Sequence, residues 1–264
     1  MTDLLALPPA VIAGLVLAAF VAGWVDAVVG GGGLIQLPAL LIGLPADTPT
    51  APVLGTNKIA AVAGTLTAAI TYARRIAIHV PTLIPLVISA FAGSAVGAAL
   101  ARLIPKAALT PIVLVALIGV GLYTVFRPQL GLVHQPRHAG AGEIARTAGI
   151  GGTIGLYDGI LGPGTGSFFV IAMVAVLGYG FLEASAKAKI ANLTTNAAAI
   201  GVFGLNGEIL WGIGALMALA NLSGGFLGAR TALRNGSAFV RKVFLVVVGS
   251  LVVKLAFDTW QQFV

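Results

Sequence analysis

The sequence predicts an all-α, polytopic transmembrane protein made of two internal repeats with glycine-broken helices. Three observations carry that expectation. The mean hydropathy is +1.04, and 58% of the 264 residues are hydrophobic while only 9% are charged. A soluble domain cannot hide so much apolar surface, so most of it must face lipid. Long stretches carry no charge at all: 27–46, 80–101, 107–126, 159–182 and 209–229. Finally, the chain repeats itself. Asp26 with Gly30-Gly31-Gly32-Gly33 returns 132 positions later as Asp158 with Gly162-Pro163-Gly164-Thr165-Gly166. Lys58-Ile59-Ala60 returns 131 positions later as Lys189-Ile190-Ala191, as Gly93 and Gly97 return as Gly224 and Gly228. Halves of this kind, built on apolar segments interrupted by glycine, are the layout of many secondary transporters.

Breaks at charges, prolines and glycines divide the chain into spans near 8–29, 33–46, 51–73, 80–103 and 107–126, then 145–162, 165–182, 187–205, 209–232 and 240–261. The domain organisation read from them is a first repeat over 1–126, a polar linker over 127–143 and a second repeat over 144–264. The segments after the two glycine breaks are short. Each fits a half-helix, a re-entrant segment or a tilted span. Charge distinguishes the topologies. With five crossings per repeat the second repeat is inverted, and eleven Lys and Arg residues fall on the side of Arg74 and Arg75 against two, Arg102 and Lys106, on the other. With four crossings per repeat the split is five against eight. The positive-inside rule selects the first arrangement: ten crossings, a cytoplasmic linker and both termini outside.

Several function classes are excluded or disfavoured. The net charge of +7 fits cytoplasmic anchoring residues, and no aromatic-basic cluster marks nucleic-acid binding. The absence of cysteine removes disulfides, thiol catalysis and cysteine metal sites. The N-terminus lacks the basic segment of a signal peptide, so the first helix is expected to be retained. No nucleophile motif or HExxH zinc motif is present, and His79, His134 and His138 have no ligand spacing. No enzyme activity, cofactor or metal is therefore expected.

The chemistry is expected at the breaks. Four consecutive glycines from Gly30 cannot hold a stable helix, and Pro163 makes the second break stronger. Backbone freed at membrane depth is tolerated only when buried in protein or lining a cavity. A helix that restarts there turns its N-terminal amides toward that space and forms an anion site. Gln36, Thr165 and Ser167 stand just beyond the breaks. The rival reading, glycines that merely let helices approach, suits Gly93, Gly97, Gly224 and Gly228 better. Lys58 and Lys189 fit two readings, a lysine snorkelling to the membrane edge or a cation facing a polar pathway. Their recurrence at equivalent places favours the second. Asn192 and Asn196 share one helical face and can line that pathway, with Thr56 and Asn57 as weaker candidates. Asp26 and Asp158 each precede a break by four residues. Proton coupling and a capping or ion-pair role both fit them.

Two stretches carry a resemblance. Gly23-Trp24-Val25-Asp26 through the glycine run to Gln36-Leu37-Pro38, with Gly55-Thr56-Asn57-Lys58, resembles the first-repeat signature of the TauE/SafE sulfite exporter family, also called the toluene-sulfonate uptake permease family. Tyr157-Asp158 through Gly166-Ser167-Phe168, with Lys187-Ala188-Lys189-Ile190-Ala191-Asn192, resembles its second-repeat signature. The resemblance covers nearly the whole chain. It implies a multi-pass protein of the bacterial inner membrane that moves sulfite, sulfonates or small organic anions, and it places function on the two glycine stretches with Asp26 and Asp158, on Thr56-Asn57-Lys58 and on 187–192. The expected function is a secondary transporter for a small anion, working by alternating access in the lipid bilayer with proton or sodium coupling. An anion channel or passive pore of the same architecture is the alternative.

Overall fold

The computed structural model describes residues 7–45, 47–101, 114–115, 118–119, 122, 125–126 and 131–263, with only the backbone of 251, 254, 255 and 258–263. Among the described residues the chain forms eight α-helices: α1 Pro9–Val29, α2 Gly33–Gly43, α3 Thr50–Ala73, α4 Val80–Leu100, α5 Gly140–Ile160, α6 Thr165–Ala172, α7 Phe181–Leu205 and α8 Trp211–Phe263. A π-helical turn, Met173–Leu177, extends α6 and is closed by Gly178 in the left-handed region, with φ 79°. Gly236, with φ 75° and ψ −176°, interrupts α8 and divides it into two arms, 211–235 and 237–263. The expected span 107–126 lies largely outside the described residues, as do Arg102, Lys106 and Arg127.

Among the described residues, four stretches are long and apolar enough to cross a membrane: Pro9–Val29, Thr50–Ala73, Val80–Leu100 and Trp211–Ser250, while Gly33–Gly43 and Thr165–Leu177 are shorter apolar helices. Their outward faces carry large exposed apolar side chains, among them Leu17, Ile88, Leu219 and Val246. Lipid is the solvent that accepts such a surface. Prolines open α1 and α4 in the first turn, where the missing N–H costs no helical bond. Two helices begin earlier than the sequence breaks suggest, α5 at 140 rather than 145 and α7 at 181 rather than 187. The reason is the same in both. Glu143, read as the end of the polar linker, and Glu183, which falls in the break between two spans, occupy first helical turns. There the positive end of the helix dipole favours a carboxylate.

Packing crosses between the two halves of the chain. α4 lies on α5, where a Cβ on Gly93 or Gly97 would meet the carbonyl oxygens of Gly152 and Leu156 at 2.4 and 2.2 Å. α8 lies on α1, where Gly224 and Gly228 stand in the same relation to the carbonyl oxygens of Phe20 and Trp24, at 2.0 and 2.4 Å. Small residues let these backbones approach as membrane helices do.

The buried apolar residues form two clusters. The first holds Val25, Val28, Val29, Ala68, Tyr72, Leu86, Phe168, Phe169, Met173, Leu177, Phe181 and Ala229; the second holds Leu15, Ala19, Leu37, Leu40, Val53, Ala60, Ala98, Phe203 and Met217. Buried polar residues fall in the seam between them: Gln36 on α2, Asn57, Lys58 and Thr65 on α3, Asn192, Thr195 and Asn196 on α7, and Asn221 on α8. Along the chain, α3 runs from the second cluster to the first and α7 from the first to the second; α8 and α4 are opposed in the same way.

Candidate substrate site at the helix breaks

α1 stops because Gly30 turns into the left-handed region, with φ 86°, and returns its N–H to the Asp26 carbonyl at 2.7 Å. α5 stops at Leu161, whose N–H reaches the Tyr157 carbonyl, before Gly162 (φ 86°) and Gly164 (φ 83°) redirect the chain into α6. Left-handed residues of this kind need glycine. The two breaks touch. The Ser167 N–H donates to the Gly30 carbonyl at 3.1 Å, and the Ser167 hydroxyl donates to the Val29 carbonyl at 2.9 Å. A Cβ on Gly30 would lie 2.1 Å from the carbonyl carbon of Gly166. The backbones therefore cross where neither chain has a side chain to hold them apart.

Each lysine reaches across to the opposite half. Lys58 Nζ donates to the Asp158 carboxylate at 2.6 Å and to the Asp158 carbonyl at 3.0 Å. Lys189 Nζ donates to the Asp26 carboxylate at 3.2 Å and also to the Asp26 carbonyl. All four side chains are buried, so neither lysine snorkels. Each ammonium sits at the C-terminal end of a broken helix, where the helix dipole favours a cation; the Asp26 carbonyl accepts from Lys189 as well as from the Gly30 N–H. Thr65 adds a long hydroxyl contact to Asp26, at 3.4 Å.

The breaks enclose a polar cavity lined by Asp26, Gly30, Gly32, Gly33, Gln36, Asn57, Lys58, Ala61, Asp158, Gly162, Gly164, Thr165, Gly166, Asn192, Asn196 and Asn221. The space open to the centre of a water-sized sphere is about 20 Å³, room for one or two waters. Among the described residues, the N–H groups of Gly32, Gly33, Gly164 and Gly166 have no acceptor. Gln36 donates to the Asn57 side chain and carbonyl, both at 3.0 Å, and accepts from Asn221 at 2.9 Å. The side-chain nitrogens of Asn192 and Asn196 have no partner among the described residues, although both residues are buried. The arrangement offers unpartnered backbone and carboxamide donors, and the two carboxylates among the lining residues are already matched to lysines.

Four candidates from the sequence stand outside the lining. Gly31 lies behind the break. Thr56 bonds back to the Pro52 carbonyl at 2.6 Å and accepts the Leu210 N–H, fastening the start of α8. Ser167 ties the breaks together, and Lys189 touches the cavity wall through Asp26. Sequence reasoning missed Asn221. The available signal was a lone carboxamide in the otherwise apolar stretch 209–229, which must find a partner. Lys187 belongs to a separate buried cluster. It donates to Thr82 and to the Tyr179 hydroxyl, at 2.7 and 2.8 Å, and the Tyr179 hydroxyl is hydrogen-bonded to Glu143.

Apolar helices broken at a buried, donor-rich cavity are the build of a membrane transporter for a small molecule. The comparisons give the same class and a family. The chain belongs to the sulfite exporter TauE/SafE family, which matches residues 15–255. It is 37% identical to the probable membrane transporter protein ORF9 of a Sinorhizobium species, over 92% of each chain. It is 35% identical to a probable membrane transporter protein of Haemophilus influenzae, over 92% of this chain and 94% of the relative, and 32% identical to the probable membrane transporter protein YfcA of Escherichia coli K12, over 96% and 93%. No solved structure matches the chain. It is a multi-pass membrane protein of a transporter family.

Proposed function

We propose that this protein is a secondary transporter of the bacterial inner membrane that carries a small oxyanion, such as sulfite, a sulfonate or another small organic anion, by alternating access. The observation that carries the reading is the meeting of both helix breaks around one cavity, with their unpartnered amides, with Lys58 in its wall and with Lys189 buried behind Asp26. Preorganised N–H groups and ammonium ions at membrane depth suit an oxyanion far better than a cation or a neutral solute. The cavity holds only a water or two, so accepting an anion requires its walls to part. That requirement favours a carrier over an open pore.

Charge balance supports proton coupling. Lys58, Lys189, Asp26 and Asp158 sum to zero when all are ionised. An added anion leaves uncompensated charge in a medium that penalises it heavily. A proton delivered to Asp26 or Asp158 frees its lysine for the anion and restores neutrality. Protein reconstituted in liposomes is expected to accumulate one of a panel of sulfur oxyanions, sulfonates and carboxylates saturably, driven by a proton gradient. In Asp26→Asn and Asp158→Asn, dependence on that gradient should weaken. Conductance without saturation would indicate the pore instead, drive by a sodium gradient alone would refute the proton arm, and failure of every anion in the panel would sink the reading.

The reciprocal lysine–aspartate pairs, the crossed packing of α4 on α5 and α8 on α1, and the opposed directions of α3 and α7 support two inverted repeats, 1–126 and 144–264, joined by a cytoplasmic linker. In that topology Asn206 faces the outside and Asn235 the cytoplasm. Because the chain has no cysteine, Asn206→Cys and Asn235→Cys report cleanly. An impermeant thiol reagent applied to intact cells is expected to label the first and to reach the second only after permeabilisation; the same labelling of both would overturn the inversion.

A further inference from the structure

A second site lies at the far end of the first apolar cluster, away from the cavity. The last turn of α3, the turn that follows it, the start of α7 and the end of the first arm of α8 bound an open groove whose lining includes Arg74, Arg75, Phe226, Arg230 and Arg234. It measures about 600 Å³ on the same scale as the cavity. No carboxylate among the described residues lines it. Among the described residues its four guanidinium groups make no ion pair or hydrogen bond; that of Arg230 stacks over the Phe226 ring, 4.0 Å from its centroid. Four guanidiniums held together without a counter-charge repel one another, so the groove is complementary to a polyvalent anion.

The surroundings say what carries that anion. On α3 the residues leading into the groove at four-residue spacing are Leu66, Ile70 and Arg74; on α8 they are Leu222, Phe226, Arg230 and Arg234. Spacing by four places each set on one helical face. The apolar members of both sets are exposed. The two helices are in contact beside these rows, where the Thr67 hydroxyl donates to the Leu222 carbonyl at 3.2 Å and the backbones of Gly64 and Gly225 meet. Two apolar tracks thus run side by side and end together at the arginines. From Leu66 to Arg74 a track is about 12 Å long at ~1.5 Å per residue. A small soluble anion has no use for such tracks. A phospholipid does, because its phosphate meets the arginines while its acyl chains follow the helices into the hydrocarbon.

We infer that this groove is a binding site for an anionic phospholipid, with Arg74, Arg75, Arg230 and Arg234 holding the headgroup phosphate. The site is distinct from the transport cavity and does not depend on which solute the protein moves.

The test is native mass spectrometry of the full-length protein with phosphatidylglycerol, phosphatidylethanolamine or inorganic phosphate, for wild type, the double variant Arg230→Gln/Arg234→Gln and the control Arg146→Gln. Arg146 is an exposed arginine outside the groove that bonds only the Gly142 carbonyl. Phosphatidylglycerol is expected to bind wild type and the control alike. Its affinity should fall about thirtyfold in the double variant, roughly fivefold for each arginine lost near an anionic lipid. Excess inorganic phosphate should not displace it. Equal binding of the two lipids by wild type, equal binding by wild type and double variant, or displacement by phosphate at the affinity of the lipid would each overturn the assignment. The wild-type comparison of the lipids stands even where the double variant cannot be purified.

Discussion

Lys189→Ala is expected to abolish anion transport and to cost the protein about 3–5 kcal/mol of stability, the range for removing one partner of a buried ion pair. Asp26 is left with a charge that no other cation among the described residues pairs, and its carbonyl at the end of α1 loses the ammonium as well. Lys58→Ala is expected to behave in the same way through Asp158. Loss of transport alone cannot separate binding from folding here, so a second variant is needed. Removing both charges, as Lys189→Met with Asp26→Asn, takes away the unpaired ion and should recover most of the stability. Transport should stay lost, because the proposed function makes this ammonium the one that receives the anion. Thermal unfolding in detergent, read beside uptake into liposomes, separates the two effects. Transport at the wild-type rate in the double variant would remove Lys189 from the substrate path.

Gly30→Ala is expected to be as damaging, by a different route. The residue is left-handed, which costs other residue types about 1–2 kcal/mol. Its new Cβ would also run into the backbone of Gly166, which cannot rotate aside as a side chain can. Overpacking of a fixed contact adds roughly 1–3 kcal/mol, so the combined loss is about 2–5 kcal/mol. Gly201→Ala is the matched control, since Gly201 lies inside α7 with open space where its Cβ would go. Alanine there should be neutral or stabilising by up to about 1 kcal/mol. Equal thermal stability of the two variants would mean that the breaks do not touch as described.

Much of this arrangement was legible in the sequence because it is local. Glycine runs, the spacing of Asp26 and Asp158 from them, and charge-free stretches of spanning length all report on a few consecutive residues. The all-α membrane class and the TauE/SafE resemblance followed from those features. The pairing of the lysines was not legible, since Lys58 and Asp158 are 100 positions apart and Lys189 and Asp26 are 163 apart. Nothing in a single sequence says that each lysine takes the aspartate of the other half. The starts of α5 and α7 were misplaced because a carboxylate marks the end of a polar loop and the first turn of a helix equally well. The fates of Thr56 and Ser167 were hidden for another reason. A hydroxyl in a membrane helix can serve a cavity or the nearest carbonyl, and only the direction of the side chain tells which.

The exchange of charges between the halves bears on how the protein is made. A ribosome delivers α3 to the membrane long before α5, so Lys58 enters without its counter-ion, and Asp26 waits still longer for Lys189. Until the later helices insert, the early ones hold ionised groups that the bilayer disfavours, and they gain their neutral interior only on docking. Biogenesis thus becomes an obligatory late handshake: each half holds one lysine and one aspartate, but the native pairs join the halves, and commitment to the final shape is deferred until most of the polypeptide is in the lipid.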